Sequence, residues 1–163
     1  MERSKFRVEN IIKSRMSEAL IESLFQDLGF LIHKFSVKHT VPKLYSLLEE
    51  VDVDASEHIK LMPDFMVQHP KTREVFFIEV KFRTNETLRF SELKNYPYKN
   101  CMFIIISQQT IRCISYKELK KEGKIDENSN YYLQERKEFL TFMDSNYKMS
   151  KYCEYAQKSF QNL

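Results

Sequence analysis

Apolar residues recur at intervals of three and four through Ile12, Met16, Ala19, Leu20, Leu24 and Leu28, which predicts a first helix over residues 10 to 28. Gly29 supplies its stop, and the polar residues Glu18, Glu22 and Gln26 interrupt the apolar pattern. Phe30 to Val37 is rich in aromatic and β-branched side chains and reads as the first strand. Residues 42 to 51 read as a short helix, with Pro42 preset for its first turn and Leu44, Leu47, Leu48 and Val51 as its apolar positions. The insertion spanning residues 38 to 60 carries the weakest pattern in the chain.

The period then changes from helical to two. Phe76, Ile78, Val80 and Phe82 alternate with Phe77, Glu79 and Lys81, so residues 75 to 82 read as a strand. Residues 61 to 68 form its partner, joined through the polar connection from His69 to Glu74 with its single proline. A helix near residues 89 to 96 is expected next, then a buried strand from Cys101 to Ser107 and a further strand from Ile111 to Ser115. Tyr116 to Glu122 and residues 131 to 160 read as helical, separated by Gly123 and the polar Asp126 to Asn130. A chain of 163 residues suits one hydrophobic core. The expectation is therefore a single α/β domain in the order helix, three strands, helix, one or two strands, then helices. Its core would span about residues 10 to 115, with a C-terminal helical extension over about 116 to 163.

Charge changes this picture little in total and more in distribution. The 26 Lys and Arg exceed the 23 Asp and Glu by three, a weak attraction for an anionic partner. Arg3, Lys5, Arg7, Lys13 and Arg15 cluster near the start, and Lys148, Lys151 and Lys158 lie among Tyr147, Tyr152, Tyr155 and Phe160. Either cluster suits phosphate contact, and either suits a solvated face. Cys101, Cys113 and Cys153 are widely spaced with no CxxC pair, so neither a disulfide framework nor a zinc ribbon is expected, and a reducing, cytoplasmic compartment is. The strongest apolar run, Phe103 to Ile106, is far short of a membrane span, and a soluble protein is expected. His33, His39, His58 and His69 have no metal-ligand spacing. Gly29 and Gly123 are the only glycines, which excludes a glycine-rich phosphate loop. Tyr96 and Tyr98, near Lys94 and Lys99, suit packing better than base stacking. Tyr132, Phe139, Leu140 and Met143 form an apolar stripe suited to covering the sheet or to an interface between two copies.

The candidate chemistry lies in Met62-Pro63-Asp64 and in Ile78-Glu79-Val80-Lys81. A hairpin turn centred between Lys71 and Thr72 sets Asp64 directly opposite Glu79, and Lys81 projects from the same face two positions on. Carboxylates held this close repel one another unless a cation lies between them, and oxygen ligands favour Mg²⁺ or Mn²⁺. The peptide carbonyl of Val80 lies near enough to join such a site. Lys81 suits orienting or deprotonating a water, or stabilising developing negative charge.

Pro63-Asp64, fourteen intervening residues and then Glu79-Val80-Lys81 resembles the signature of the PD-(D/E)XK nuclease superfamily. The resemblance covers about residues 10 to 107, and resolvase-like members are the most similar. It implies a restriction-endonuclease-like core, a central mixed β-sheet flanked by helices, and Mg²⁺-dependent hydrolysis of phosphodiester bonds in DNA, with Mn²⁺ able to substitute. It also implies Asp64 and Glu79 as metal ligands, with the Val80 carbonyl, and Lys81 as the catalytic lysine. Members of the superfamily often carry a further glutamate on the first helix, upstream of a Leu-Gly-Phe end like Leu28-Gly29-Phe30. Glu18 fills that place here, with Glu22 as its rival one turn later. RNA stands as a second substrate and a symmetric homodimer as one assembly. A nuclease-like DNA-binding or assembly module that makes no cut is the alternative function.

Overall fold

The structure is a computed structural model and describes residues 2–35 and 54–161. Helix α1 runs from Glu2 to Asp27, eight residues earlier than the apolar period indicates. Its core-facing stripe is Ser17, Glu18, Ile21, Leu24, Phe25 and Leu28, while Ile12 and Ala19 are exposed. Gly29 ends the helix at φ +80, with its N–H donating to the Gln26 carbonyl and the Phe30 N–H donating to the Phe25 carbonyl. This is a Schellman close, and its accompanying apolar contact is the edge-on packing of Phe25 against Phe30 at 5.1 Å. A β-carbon at Gly29 would lie 3.1 Å from the Phe142 ring. Gly29→Ala is therefore expected to destabilise the fold by about 1–2 kcal/mol, through the left-handed backbone and that contact. Urea unfolding measures it, and an unchanged midpoint would show that the helix end does not depend on this geometry.

Five strands form the central sheet in the order β1-β2-β3-β5-β6. These are β1 (Leu31–Lys34), β2 (Phe65–Gln68), β3 (Val75–Phe82), β5 (Cys101–Ile106) and β6 (Ile111–Ser115). Among the described residues only the β3–β5 pairing of this sheet is parallel, so the sheet is mixed. Phe65 faces Ile78 and Gln68 faces Val75, the register expected from a turn centred between Lys71 and Thr72. His69 holds that turn, because its Nδ1 accepts the N–H groups of both Lys71 and Thr72 at 3.1 Å.

β5 is buried at every position, as befits an apolar run covered on both faces. One face, including Phe65, Val67, Phe76, Ile78, Val80, Ile104 and Ile106, packs with α1 and with α4 (Ser145–Phe160). The other, including Phe103, Ile105 and Ile114, packs with Leu88, Leu93, Tyr96 and Leu119. Each fully buried aliphatic or aromatic side chain contributes about 1.5–3 kcal/mol over the exposed state.

Two expected helices take other forms. Residues 88–93 make strand β4 (Leu88–Arg89) and a single 3-10 turn, Phe90–Leu93, in place of a helix over 89 to 96. Leu88 pairs instead with Ile125 of β7 (Lys124–Ile125), and Asn95 takes a left-handed φ of +63 shortly before Pro97. The helix expected over 131 to 160 begins only at Ser145. Two 3-10 turns, Leu133–Glu135 and Lys137–Phe139, precede it. Phe139 is drawn into a ring cluster with Phe25 at 5.0 Å and Phe76 at 6.0 Å, and Arg136 is held by Glu118 and Glu138. The apolar stripe is thereby split, with Phe139 covering the sheet and Leu140 and Met143 exposed.

Tyr116–Glu122 forms α3, closed at Gly123, and Asp54–Lys60 forms α2. The helix expected over 42 to 51 lies outside the described residues. Among the described residues no helix is long and apolar enough to cross a membrane.

Candidate functional site

The β2–β3 ladder ends where Phe65 faces Ile78. Beyond that pair the Asp64 carbonyl accepts the Phe35 N–H at 2.9 Å, and the Asp64 carboxylate Oδ2 accepts the Val80 N–H at 2.7 Å. The side chain thus takes a main-chain donor of β3 that a continued ladder would have used. Pro63 has no N–H to lose and lies just before the strand.

An open cleft of about 550 Å³ lies at this point. Asp64 lines it together with Glu79, Val80, Lys81, Phe82 and Arg83 of β3. From α1 come Asn10, Ser14 and Glu18, three positions four residues apart on one helical face. The structure therefore brings all five expected site residues, Glu18, Asp64, Glu79, Val80 and Lys81, to one cleft. Glu22 does not line it, which places Glu18 rather than its rival at the site. Glu18 is 6% exposed and Glu79 about one-sixth exposed, so neither carboxylate is freely solvated.

Burial foremost, and then the neighbouring charges of Glu79 and Glu18, together push the Asp64 carboxyl up from its ordinary value of 3.8 to about 7. The Val80 N–H and the Lys81 ammonium pull the other way without offsetting these effects. The remaining carboxylates hold internal cations. Lys81 Nζ donates to Glu79 Oε1 at 3.0 Å, and Lys34 Nζ lies 3.1 Å from Glu18 Oε2. Among the described residues no three His, Cys, Asp or Glu side chains are gathered as a ready-made ligand set.

Asn10, Ser14 and Arg83, which line the cleft, and Lys34, which pairs with Glu18, were not among the residues expected here. Ser14 and Asn10 were within reach of sequence reasoning, since they precede Glu18 by one and two helical turns. Lys34 depends on the β1–β2 register, which places it opposite Phe65. Arg83 donates to Glu92 at 2.8 Å and so ties the cleft rim to the 3-10 turn.

The weaker candidates fall elsewhere. His69 is buried in its hairpin against Phe30, His33 packs edge-on against Phe35, and the His58 carbonyl accepts the Tyr98 hydroxyl; His39 lies outside the described residues. The Tyr96 hydroxyl is buried against the Cys101 thiol. All three cysteines are free thiols. Comparison with protein-family models, with curated proteins and with solved structures finds no match in any of the three.

Proposed function

We propose that the chain is a metal-dependent endonuclease of the PD-(D/E)XK type acting on DNA, built on a restriction-endonuclease-like core. The observation that carries this reading is the convergence of Glu18, Asp64, Glu79 and Lys81 on one polar cleft, with Asp64 strained as an anion. Such crowding of carboxylates is expensive to keep for structure alone, since hydrophobic replacement of buried ionic groups is often neutral or stabilising.

Asp64, Glu79 and the Val80 carbonyl would hold a Mg²⁺ or Mn²⁺ ion, with Glu18 as a supporting ligand or water-positioner. The donors are all oxygens, the ligand type such an ion takes, and the charges of Glu79 and Glu18 both act on Asp64, a repulsion that a divalent cation would relieve. When bound, the ion supplies a water of lowered pKa and compensation for charge on the phosphate. The chain's own groups then have separate tasks. The Val80 N–H fixes the Asp64 carboxylate, and the Lys81 ammonium stands beside Glu79, able to orient or deprotonate the attacking water or to stabilise charge developing on the phosphate. Asn10 and Ser14 offer neutral hydrogen-bonding groups to a substrate along α1.

A second reading, a nuclease-like DNA-binding or assembly module without cleavage, is favoured by the internal lysine partners of Glu79 and Glu18. Incubation of the purified chain with end-labelled duplex, branched and single-stranded DNA, and with RNA, in Mg²⁺ or Mn²⁺ separates the two. The nuclease reading expects cleavage of DNA that EDTA abolishes. Retention of DNA without any cut, in either metal, would favour the module.

A further inference from the structure

Lys34 reaches the cleft residue Glu18 from β1, where its Cα lies opposite Phe65, the residue next to Asp64. Its ammonium lies 3.1 Å from Glu18 Oε2 and 5.5 Å from the centre of the Phe65 ring. The two partners differ in exposure, the Lys34 side chain being 36% accessible and the Glu18 side chain 8%. Glu18 is thus the fixed member, reaching from the core-facing stripe of α1, and Lys34 is the member with solvent to move into. Together with the Lys81–Glu79 contact and the Val80–Asp64 hydrogen bond, this pair leaves each cleft carboxylate with an internal partner.

Resting on the metal-site reading above, we propose that Lys34 is the resident counter-ion of Glu18. It positions that carboxylate at the cleft and competes with a divalent cation for it. An ammonium against a ligand carboxylate opposes a second cation there by direct repulsion, and it holds an oxygen that would otherwise serve the ion. Its partial exposure limits the effect to the size of a half-solvated ion pair. Lys34 is on this account a positioning residue that sets metal affinity.

Calorimetric titration with Mn²⁺ alone tests this, since it needs neither substrate nor turnover. Lys34→Met is expected to bind Mn²⁺ roughly threefold to tenfold more tightly than the parent, the range of a partly exposed ion pair. Lys34→Arg keeps the charge and should bind as the parent does. In a Glu18→Gln background, Lys34→Met should give no gain, because the carboxylate it competes for is gone. The inference fails if Lys34→Met leaves affinity unchanged or lowers it. It fails equally if Lys34→Arg tightens binding as much, or if the gain persists without Glu18. A parent chain that binds no Mn²⁺ overturns the metal-site reading and this inference with it, whereas firm parent binding that Lys34→Met leaves unchanged overturns the inference alone.

Discussion

Lys81→Ala is expected to slow DNA cleavage about a hundredfold or more under single-turnover conditions, a loss of roughly 3 kcal/mol in the transition state. The side chain is about one-quarter exposed at the cleft, where its ammonium meets Glu79 at 3.0 Å. Its removal leaves both carboxylates and the Val80 carbonyl in place, so Mn²⁺ binding should hold or tighten. The loss then falls on turnover and not on binding of metal or DNA. Cleavage at the parent rate by a folded Lys81→Ala protein would remove Lys81 from the mechanism.

Asp64→Asn is expected to act in two opposite directions. The amide oxygen can still accept the Val80 N–H, so the local shape persists, but a ligand charge is lost. Metal binding should weaken and cleavage disappear, while affinity for DNA without metal holds or rises slightly as repulsion of phosphates falls. The metal-free fold should meanwhile become more stable at pH 8. Asp64 has a folded-state pKa raised from 3.8 to about 7, chiefly by burial and then by Glu79. Between those values the folded chain holds a proton that the unfolded chain has released, so the parent's stability falls as pH rises through that window. Asparagine does not titrate, and Asp64→Asn should be more stable than the parent by about 1–3 kcal/mol at pH 8, with the gain vanishing below about pH 4. Thermal unfolding across that range reads it directly. Equal pH profiles for parent and variant would mean that Asp64 is not strained in the way its surroundings imply.

The parts of this site that were legible beforehand rest on local periodicity. Strand β3 spans the residues that the alternation of Phe76 to Phe82 indicates, and a turn centred between Lys71 and Thr72 gives the observed register, which brings Asp64 to the end of β2 beside β3. Gly29-Phe30 marks the end of α1 through a motif that needs only neighbouring residues, and this places Glu18 at a definite angle on the helix. What was not legible depends on contacts between distant segments. Leu88 joins a ladder with Ile125, Phe139 leaves helical geometry to fill a gap between Phe25 and Phe76, and Lys34 meets Glu18 only once β1 has docked beside β2. The buried pair of Glu86 and Arg112, joined by Ser107, is of the same kind, linking the β3–β4 connection to β6. No spacing rule along the chain announces such pairs.

Calorimetric titration of Mn²⁺ into the purified parent at pH 7, repeated in two buffers of different ionisation enthalpy, tests the claim of a metal site at Asp64 and Glu79 most directly. With Asp64 titrating at about 7, saturable binding should release about half a proton per chain, and Asp64→Asn should lose both the tight binding and the proton. Heat that never exceeds dilution, or binding and proton release that Asp64→Asn leaves intact, would contradict the assignment.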